Sequence, residues 1–343
     1  MDKDRDKNIN RYRYRDKNIN RYRDKILNKE KERDKDTYTE KERGRTKLAL
    51  LASVGYCTIF GFSFMQSRIA LSHTTPDMLL AIRFMVSMLA MLLLAVTGLF
   101  RMDLKGKPVG MFLVMGLCQP VIYFFGETAG IQYTNSSFAG IMIALIPVVT
   151  VLMSAVFLHE RISLRTFGWV LCSVAGAFII SMVQTGNGSV QFKGIMFLMV
   201  AVISAVVFYL LSRTVAQYFT PFERTFIMMV MGFVCFTLSA VVREGDQFMP
   251  LLRAGLTDKY VMLPILYLAL LSSVAAFMLQ NYAITYLSVA QCTVFENIIP
   301  VVSVAAGVIF LGEPFSFIQL AGMALILLGV WKVSTSKDSA SSE

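Results

Sequence analysis

Three ionisable residues stand inside long apolar runs. They are Arg83 in "PDMLLAIRF", Glu127 in "FFGETAGI" and Glu296 in "VFENIIPVV". At the centre of a bilayer each costs about 2.5–3.5 kcal/mol or more unless it is paired or wet, so such residues face a protein interior and mark function by default. At a rise of 1.5 Å per residue, Arg83 and Glu127 lie roughly 7 and 10 Å to the outer side of their helix midpoints. They can meet as an ion pair or, if a cavity runs between them, hold the two ends of a zwitterion. Glu296 lies about 6 Å to the cytoplasmic side of its own midpoint by the same rise. No Lys or Arg occurs within thirty residues of it on either side. A carboxyl in low dielectric without a cation favours its neutral form. Glu296 is therefore either a neutral group hydrogen-bonded to a neighbouring helix or, the reading preferred, a proton- or substrate-binding group.

Prolines sharpen that reading. Pro300 has no N–H, so the carbonyl four residues earlier, that of Glu296, loses its helical partner. Pro147 does the same to Ile143. A freed carbonyl in lipid must find another donor or line a wet cavity. A further set of polar groups lies at similar depth: Gln66, Gln119, Tyr123, Tyr209, Gln280, Asn281 and Asn297. Two or three are expected to reach a cavity, and the others to bond between helices. Glu160 and Glu313 fall at helix ends, where a carboxylate reaches water, and read as interface or gate-end residues.

Catalytic patterns are missing. "HERIS" starts like a zinc-protease motif, but Ser163 stands where the second histidine belongs. There is no G-x-x-x-x-G-K-S/T loop, so ATP-driven transport by this chain is not expected. Cys57, Cys118, Cys172, Cys235 and Cys292 all lie in apolar runs without C-x-x-C spacing and read as packing residues. Neither a metal nor another cofactor is expected.

The elements that position these residues follow from composition. Of 343 residues, 55% are hydrophobic. Residues 1–47 hold 18 of the 33 Lys and Arg and 11 of the 23 Asp and Glu. A basic, low-complexity tail thus precedes an apolar body. The tail repeats "DKNINRYR" at 6–13 and 16–23, and such a charged, apolar-poor stretch is expected to be disordered. It suits the cytoplasmic side and anionic lipid; its interleaved acids argue against nucleic acid. The body divides into ten apolar segments: 48–70, 77–99, 109–132, 136–158, 165–184, 193–212, 221–242, 260–284, 288–311 and 315–334. Spans of about 20 residues cross a hydrocarbon core. The longest connection is "REGDQFMPLLRAGLTDK", before the eighth span, and 335–343 is a short C-terminal tail.

The body also repeats. Residues 131–163 set over 284–316, an offset of 153, match at eleven of 33 positions, including Pro147/Pro300 and Glu160/Glu313. Upstream the offset is 145, so Ser67-Arg68 falls on Ser212-Arg213. Glu127 then pairs with Gln280, Glu296 with Ile143, and Arg83 with Met228. Each repeat, 48–184 and 193–334, holds five spans. Five is odd, so the second copy must enter the membrane from the opposite face, as in inverted-repeat transporters. The fold expected is an all-α membrane protein of ten transmembrane helices in two inverted five-helix repeats. Lys and Arg near the helix ends favour both termini in the cytoplasm.

"FGFSFMQSRIAL", "PDMLLAIRF", and the pair "IPVVTVLMSAVFLHE" and "IPVVSVAAGVIFLGE" together resemble the EamA family of the drug/metabolite transporter superfamily, over about 48–334. The resemblance implies a ten-helix bundle with a central cavity that moves small metabolites or drugs, often outward. Met228, in place of a second arginine, departs from the repeat. The expected function is a secondary transporter in the plasma membrane that exports small metabolites such as amino acids or drugs by alternating access, with proton coupling at Glu296. A polytopic membrane enzyme and a non-transporting receptor or scramblase are the alternatives. The first requires a cluster of nucleophile, base or metal ligands, which the sequence does not offer.

Overall fold

The computed structural model of the protein describes residues 43–98, 100, 102–103, 106–157, 164–186, 190–287, 292 and 295–334. Most of the basic tail, the "HERIS" segment with Glu160, and the C-terminal tail lie outside the described residues. No strand occurs among those described. The helices are α1 (Arg43–Leu71), α2 (Pro76–Val96), α3 (Val109–Gly116), α4 (Tyr123–Gln132), α5 (Ser136–Ile143), α6 (Ile146–Phe157) and α7 (Leu164–Gly186). They continue with α8 (Phe192–Val215), α9 (Pro221–Glu244), α10 (Phe248–Thr257), α11 (Lys259–Leu266), α12 (Phe277–Tyr286), α13 (Ile298–Leu311) and α14 (Phe317–Ser334).

Local sequence explains where these helices start and stop. Thr75 caps α2, accepting from Met78 N, with Pro76 in the first turn. Thr220 and Glu223 form a capping box at α9, again followed by proline. The side chain of Asn135 caps α5. Gly312, at φ +64°, closes α13 in a left-handed conformation that costs glycine little. Large apolar side chains such as Leu51, Leu93, Phe178, Ile309 and Phe317 project outward. In lipid that surface is solvated, so it costs nothing there.

Among the described residues, six helical stretches are long and apolar enough to cross a membrane: Arg43–Leu71, Pro76–Val96, Phe112–Gln132, Phe192–Ser212, Pro221–Thr257 and Lys259–Tyr286. Four more apolar helices, Ser136–Thr150, Phe167–Ile180, Ile298–Leu311 and Phe317–Lys332, are shorter. A proline turn interrupts one of them and precedes another. Ala144 and Leu145 form a turn ahead of Pro147, and Glu296 and Asn297 form one ahead of Pro300.

Two expectations need correction. The long seventh connection is not an open loop: "FMPLLRAGLT" forms α10, whose Phe248, Leu251 and Leu252 pack on Met78 and Ile82 of α2. The carbonyl of Glu296 is not left free either. It accepts the N–H of Ile299 at 3.0 Å, three residues on, because the tighter turn avoids the missing proline donor.

Two close seams join helices of the two halves, the first at equivalent repeat positions. In the first, Trp169 of α7 lies by Gly329 of α14, Ser173 Oγ donates to the carbonyl of Ile326 at 3.2 Å, and Ile180 lies by Gly322. The α7 positions ascend while the α14 positions descend, so the helices run antiparallel. Ser173 and Ile326 are separated by the repeat offset itself, 153 residues. In the second seam, Gly140 of α5 faces Ser303 of α13, and Ser303 Oγ donates to the carbonyl of Ser136 at 2.8 Å. A Cβ on Gly140 or Gly176 would collide with the opposite helix, so glycine permits the close approach.

Candidate functional site

The segments between α3 and α4 and between α11 and α12 relax into π-helical turns, Leu117–Ile122 and Tyr267–Ala276. These stretches correspond under the 153-residue offset. A widened turn in a helix leaves backbone groups and side chains re-aimed, and such turns recur at functional sites. In the first, Pro120 disfavours helical dihedrals at the residue before it. Gln119 is extended, at φ −137° and ψ 115°. Its side chain is buried on the same cavity that α4 and α12 line.

That cavity has aromatic walls from Phe60, Phe64, Phe124 and Phe277. Its polar groups are Ser63, Gln119, Tyr123, Glu127, Tyr209, Gln280 and Glu296. Ile143 and Ile299 lie beside the two proline turns and also face it. Both halves contribute equivalent positions, Glu127 with Gln280 and Ile143 with Glu296. The polar chemistry is therefore unequal across a symmetric frame.

A hydrogen-bonded chain crosses the cavity. Gln280 Nε2 donates to the Tyr209 hydroxyl at 2.5 Å, and the Tyr209 hydroxyl donates to Glu296 Oε1. Among the described residues, Glu296 Oε2, Glu127 Oε1, Gln280 Oε1 and Gln119 Oε1 are buried without a hydrogen-bond partner. Neither glutamate forms an ion pair among the described residues. Tyr123 lies beside the carboxyl of Glu127.

The eight residues singled out in the sequence separate into two groups. Glu296, Glu127, Gln280, Tyr209 and Tyr123 line the cavity. Arg83, Gln66 and Asn297 do not, and the last two are half-buried. Pro147 and Pro300 stand next to it, as helix breaks. The suggested ion pair between Arg83 and Glu127 is not present. Arg83 is fully buried and donates from Nε to Ser273 Oγ at 2.9 Å and from Nη2 to Ser272 Oγ at 3.1 Å. Its guanidinium lies over the Phe124 ring, 4.1 Å from the centroid. The second π-helical turn thus holds the arginine, because two adjacent serine hydroxyls match its fork of donors.

Sequence reading missed a second buried arginine. Arg224 falls at the start of the seventh span, 221–242, but was not singled out; it is buried and donates to Thr285 Oγ1 at 2.6 Å and to the carbonyl of Asn281 at 2.5 Å. Asn281 in turn donates to Thr225 Oγ1 at 3.0 Å. The signal was there in "TPFER": Thr220, Pro221 and Glu223 start a helix, which puts Arg224 inside its first turn. Beside it, Lys107 Nζ meets Glu223 Oε2 at 2.7 Å and ties the α2–α3 connection to α9.

Glu313 has a defined task. Its Oε1 accepts from Ser136 N at 2.9 Å and Ser136 Oγ at 2.7 Å; its Oε2 accepts from Ser137 N at 2.9 Å and from Ser137 Oγ. The carboxylate therefore closes the N-terminus of α5, where unpaired N–H groups and the helix dipole favour an anion.

Among the described residues no group of His, Cys, Asp and Glu is arranged to hold a metal. Comparison with known proteins gives the context of the cavity. The model of the EamA-like transporter family matches residues 47–182 and again 192–335. An uncharacterized transporter of Bacillus subtilis, YcxC, is 31% identical over 289 residues, 82% of this chain and 91% of that protein. A probable amino-acid metabolite efflux pump of Salmonella typhimurium is 22% identical over 290 residues, 83% of this chain and 92% of its own. A probable terminal-alkyne amino-acid exporter of Streptantibioticus cattleyicolor is 30% identical over 198 residues, 57% of this chain and 63% of that one. A solved crystal structure with 16% identity shares the fold at a TM-score of 0.62 over 86% of this chain and 99% of its own.

Proposed function

The chain belongs to the EamA-like transporter family, and we propose that it is a proton-coupled secondary transporter that exports a small metabolite through the cavity around Glu296. It is a transporter and not an enzyme, and it is integral to a membrane. The finer reading places it in the plasma membrane as ten spans, with residues 48–184 and 193–334 as inverted repeats and both termini cytoplasmic. The antiparallel contact of α7 with α14 at positions one repeat apart supports this, since a two-fold axis in the membrane plane makes equivalent helices meet head to tail. Outward movement of a metabolite such as an amino acid is supported by the names of the Salmonella and Streptantibioticus relatives.

One observation carries the coupling. Glu296 sits in a turn ahead of Pro300, lines the cavity, and has one carboxyl oxygen on Tyr209 and the other without a partner among the described residues. Burial favours a neutral carboxyl, and contact with water favours the carboxylate. Opening the cavity to one side or the other then exchanges the proton of Glu296 with that side. A proton gradient biases the two states because it acts through this difference in affinity. In proteoliposomes, Glu296→Gln keeps the side chain's shape and its bond to Tyr209 but removes the titration. It should abolish transport driven by a pH gradient while leaving substrate exchange at equal pH measurable. Unchanged pH dependence in the Gln variant would reduce Glu296 to a structural contact.

A further inference from the structure

We infer that Tyr209 positions Glu296 for proton exchange: it donates to Oε1, takes a hydrogen bond from Gln280, and so confines the exchanged proton to Oε2. This rests on Glu296 being the coupling group. The hydrogen positions follow from what each group can give. Gln280 presents Nε2, which is a donor only, to the Tyr209 hydroxyl at 2.5 Å. Tyr209 therefore accepts there, and its single hydrogen goes to Glu296 Oε1. In the neutral carboxyl Oε1 is then the carbonyl oxygen and Oε2 carries the proton. Turning the Gln280 amide over would cost both of its hydrogens this partner, and an orphaned buried N–H is rarer than an orphaned carbonyl oxygen. Under the 145-residue offset the counterpart of Tyr209 is Phe64, and under the 153-residue offset that of Glu296 is Ile143. Both counterparts line the cavity, so the first repeat lacks the hydroxyl and the carboxyl together.

The same chain closes the other route. A proton on Oε1 could leave only through Tyr209 towards the amide nitrogen of Gln280, which cannot accept it. Exchange therefore occurs at Oε2, which has no partner among the described residues. When the cavity opens, the Oε2–H bond breaks, its electron pair stays on the carboxylate and the proton passes to water. The Tyr209 bond then falls on a charged acceptor and strengthens, which favours the charged form. Tyr209 thus sets how readily Glu296 gives up its proton. The titratable groups within electrostatic reach of Glu296 are Tyr209 of α8, Tyr56 and Cys57 of α1 and Tyr123 of α4. Cys292 lies four residues away in its own segment, and Glu127 of α4 shares the cavity. The charge of Arg83 acts on Glu127 and Tyr123. Among the described residues no Lys or Arg lines the cavity.

The test is an infrared pH titration of the full-length chain in lipid nanodiscs, which needs no substrate. The carboxyl stretch that Glu296→Gln removes belongs to protonated Glu296. It should lie at the lowered frequency of a carbonyl that accepts a hydrogen bond. Tyr209→Phe keeps the ring and removes the donor. It should raise that frequency and move the titration midpoint about one pH unit to the alkaline side, about a tenfold gain in proton affinity, because charge-assisted bonds are roughly twice as strong as neutral ones. Meta-fluorotyrosine in place of Tyr209, a stronger donor of nearly the same size, should move both the other way, and it does not depend on the Phe variant folding. A midpoint unmoved by both replacements, or moved to the acid side in Tyr209→Phe, overturns the inference. A wild-type stretch at the free-carbonyl frequency means that Glu296 donates from Oε1, and overturns it too, as does the lack of any stretch removed by Glu296→Gln. If stretch and midpoint behave as expected but Glu296→Gln leaves pH-driven flux unchanged, the coupling falls and the role of Tyr209 on Glu296 stands. If Glu296→Gln abolishes that flux while both tyrosine replacements change nothing, the coupling stands and Tyr209 falls.

Discussion

Buried charges in this protein differ in what surrounds them. Arg83 and Arg224 are each held by neutral oxygens from serine, threonine and backbone groups, although Arg83 Nη1 and Arg224 Nε and Nη1 have no partner among the described residues. Glu127 and Glu296 each have a buried oxygen without a partner among the described residues, and both residues line the cavity while neither arginine does. The proposed coupling rests on that placement. Hydrogen bonds to charged groups contribute about 1.5–3 kcal/mol each. A double-mutant cycle of Arg83→Met with Ser273→Ala should therefore show a coupling of about 1–3 kcal/mol in reversible unfolding in mixed micelles. Additive losses would mean that the serine does not hold the arginine. Arg83→Lys should not restore the wild-type value, because an ammonium cannot present the guanidinium fork to both serines.

At the scale of elements, proline turns and glycine seams matter together. Each proline splits an apolar helix, and each split end needs a partner for its backbone groups. At the other end of α5, its N-terminus, Glu313 supplies the partner from across the seam with α13. The closeness of this seam depends on Gly307, whose added Cβ would strike Glu313 Oε2 and Ser137 Oγ. Gly307→Ala is expected to lower stability by about 1–3 kcal/mol through overpacking. Gly168→Ala is the control: nothing lies within 4 Å of its position in α7, so helix propensity predicts a gain of up to about 1 kcal/mol. Hydrogen exchange at the amides of Ser136 and Ser137 should accelerate in Gly307→Ala and in Glu313→Gln. Unaltered exchange in both would show that the carboxylate does not close this helix end.

For the molecule as a whole, the prediction concerns sidedness. An odd number of spans per repeat places corresponding connections on opposite faces of the membrane. Single cysteines at Asp103 and Tyr218, both exposed, should react with an impermeant maleimide from the cytoplasmic side alone. Cysteines at Ser72 and Asp246, also exposed, should react from the outer side alone. Labelling at Ser72 and Tyr218 from one face, or at Asp103 and Asp246 from one face, would remove the inverted arrangement and with it the simplest route to alternating access.

The sequence by itself determined the membrane class, the repeat and the polar residues worth attention. Apolar runs of bilayer length, a shared Pro with a shared Glu, and charges inside apolar segments are one-dimensional signals, because a bilayer penalises each residue locally. Helix starts were equally local: Thr-Pro-x-Glu marks the start of α9 and puts Arg224 in its first turn. Only the tertiary structure decided who meets whom. Arg83 and Glu127 have opposite charge and similar depth, yet the arginine turns to two serines more than 180 positions away. Glu313 bonds α5 across 177 residues. Tyr209 reaches Glu296 across 87. Depth along a helix follows from counting residues. Direction around it depends on which neighbouring helix packs there, and in lipid that is set by close contact and hydrogen bonding between surfaces far apart in the chain.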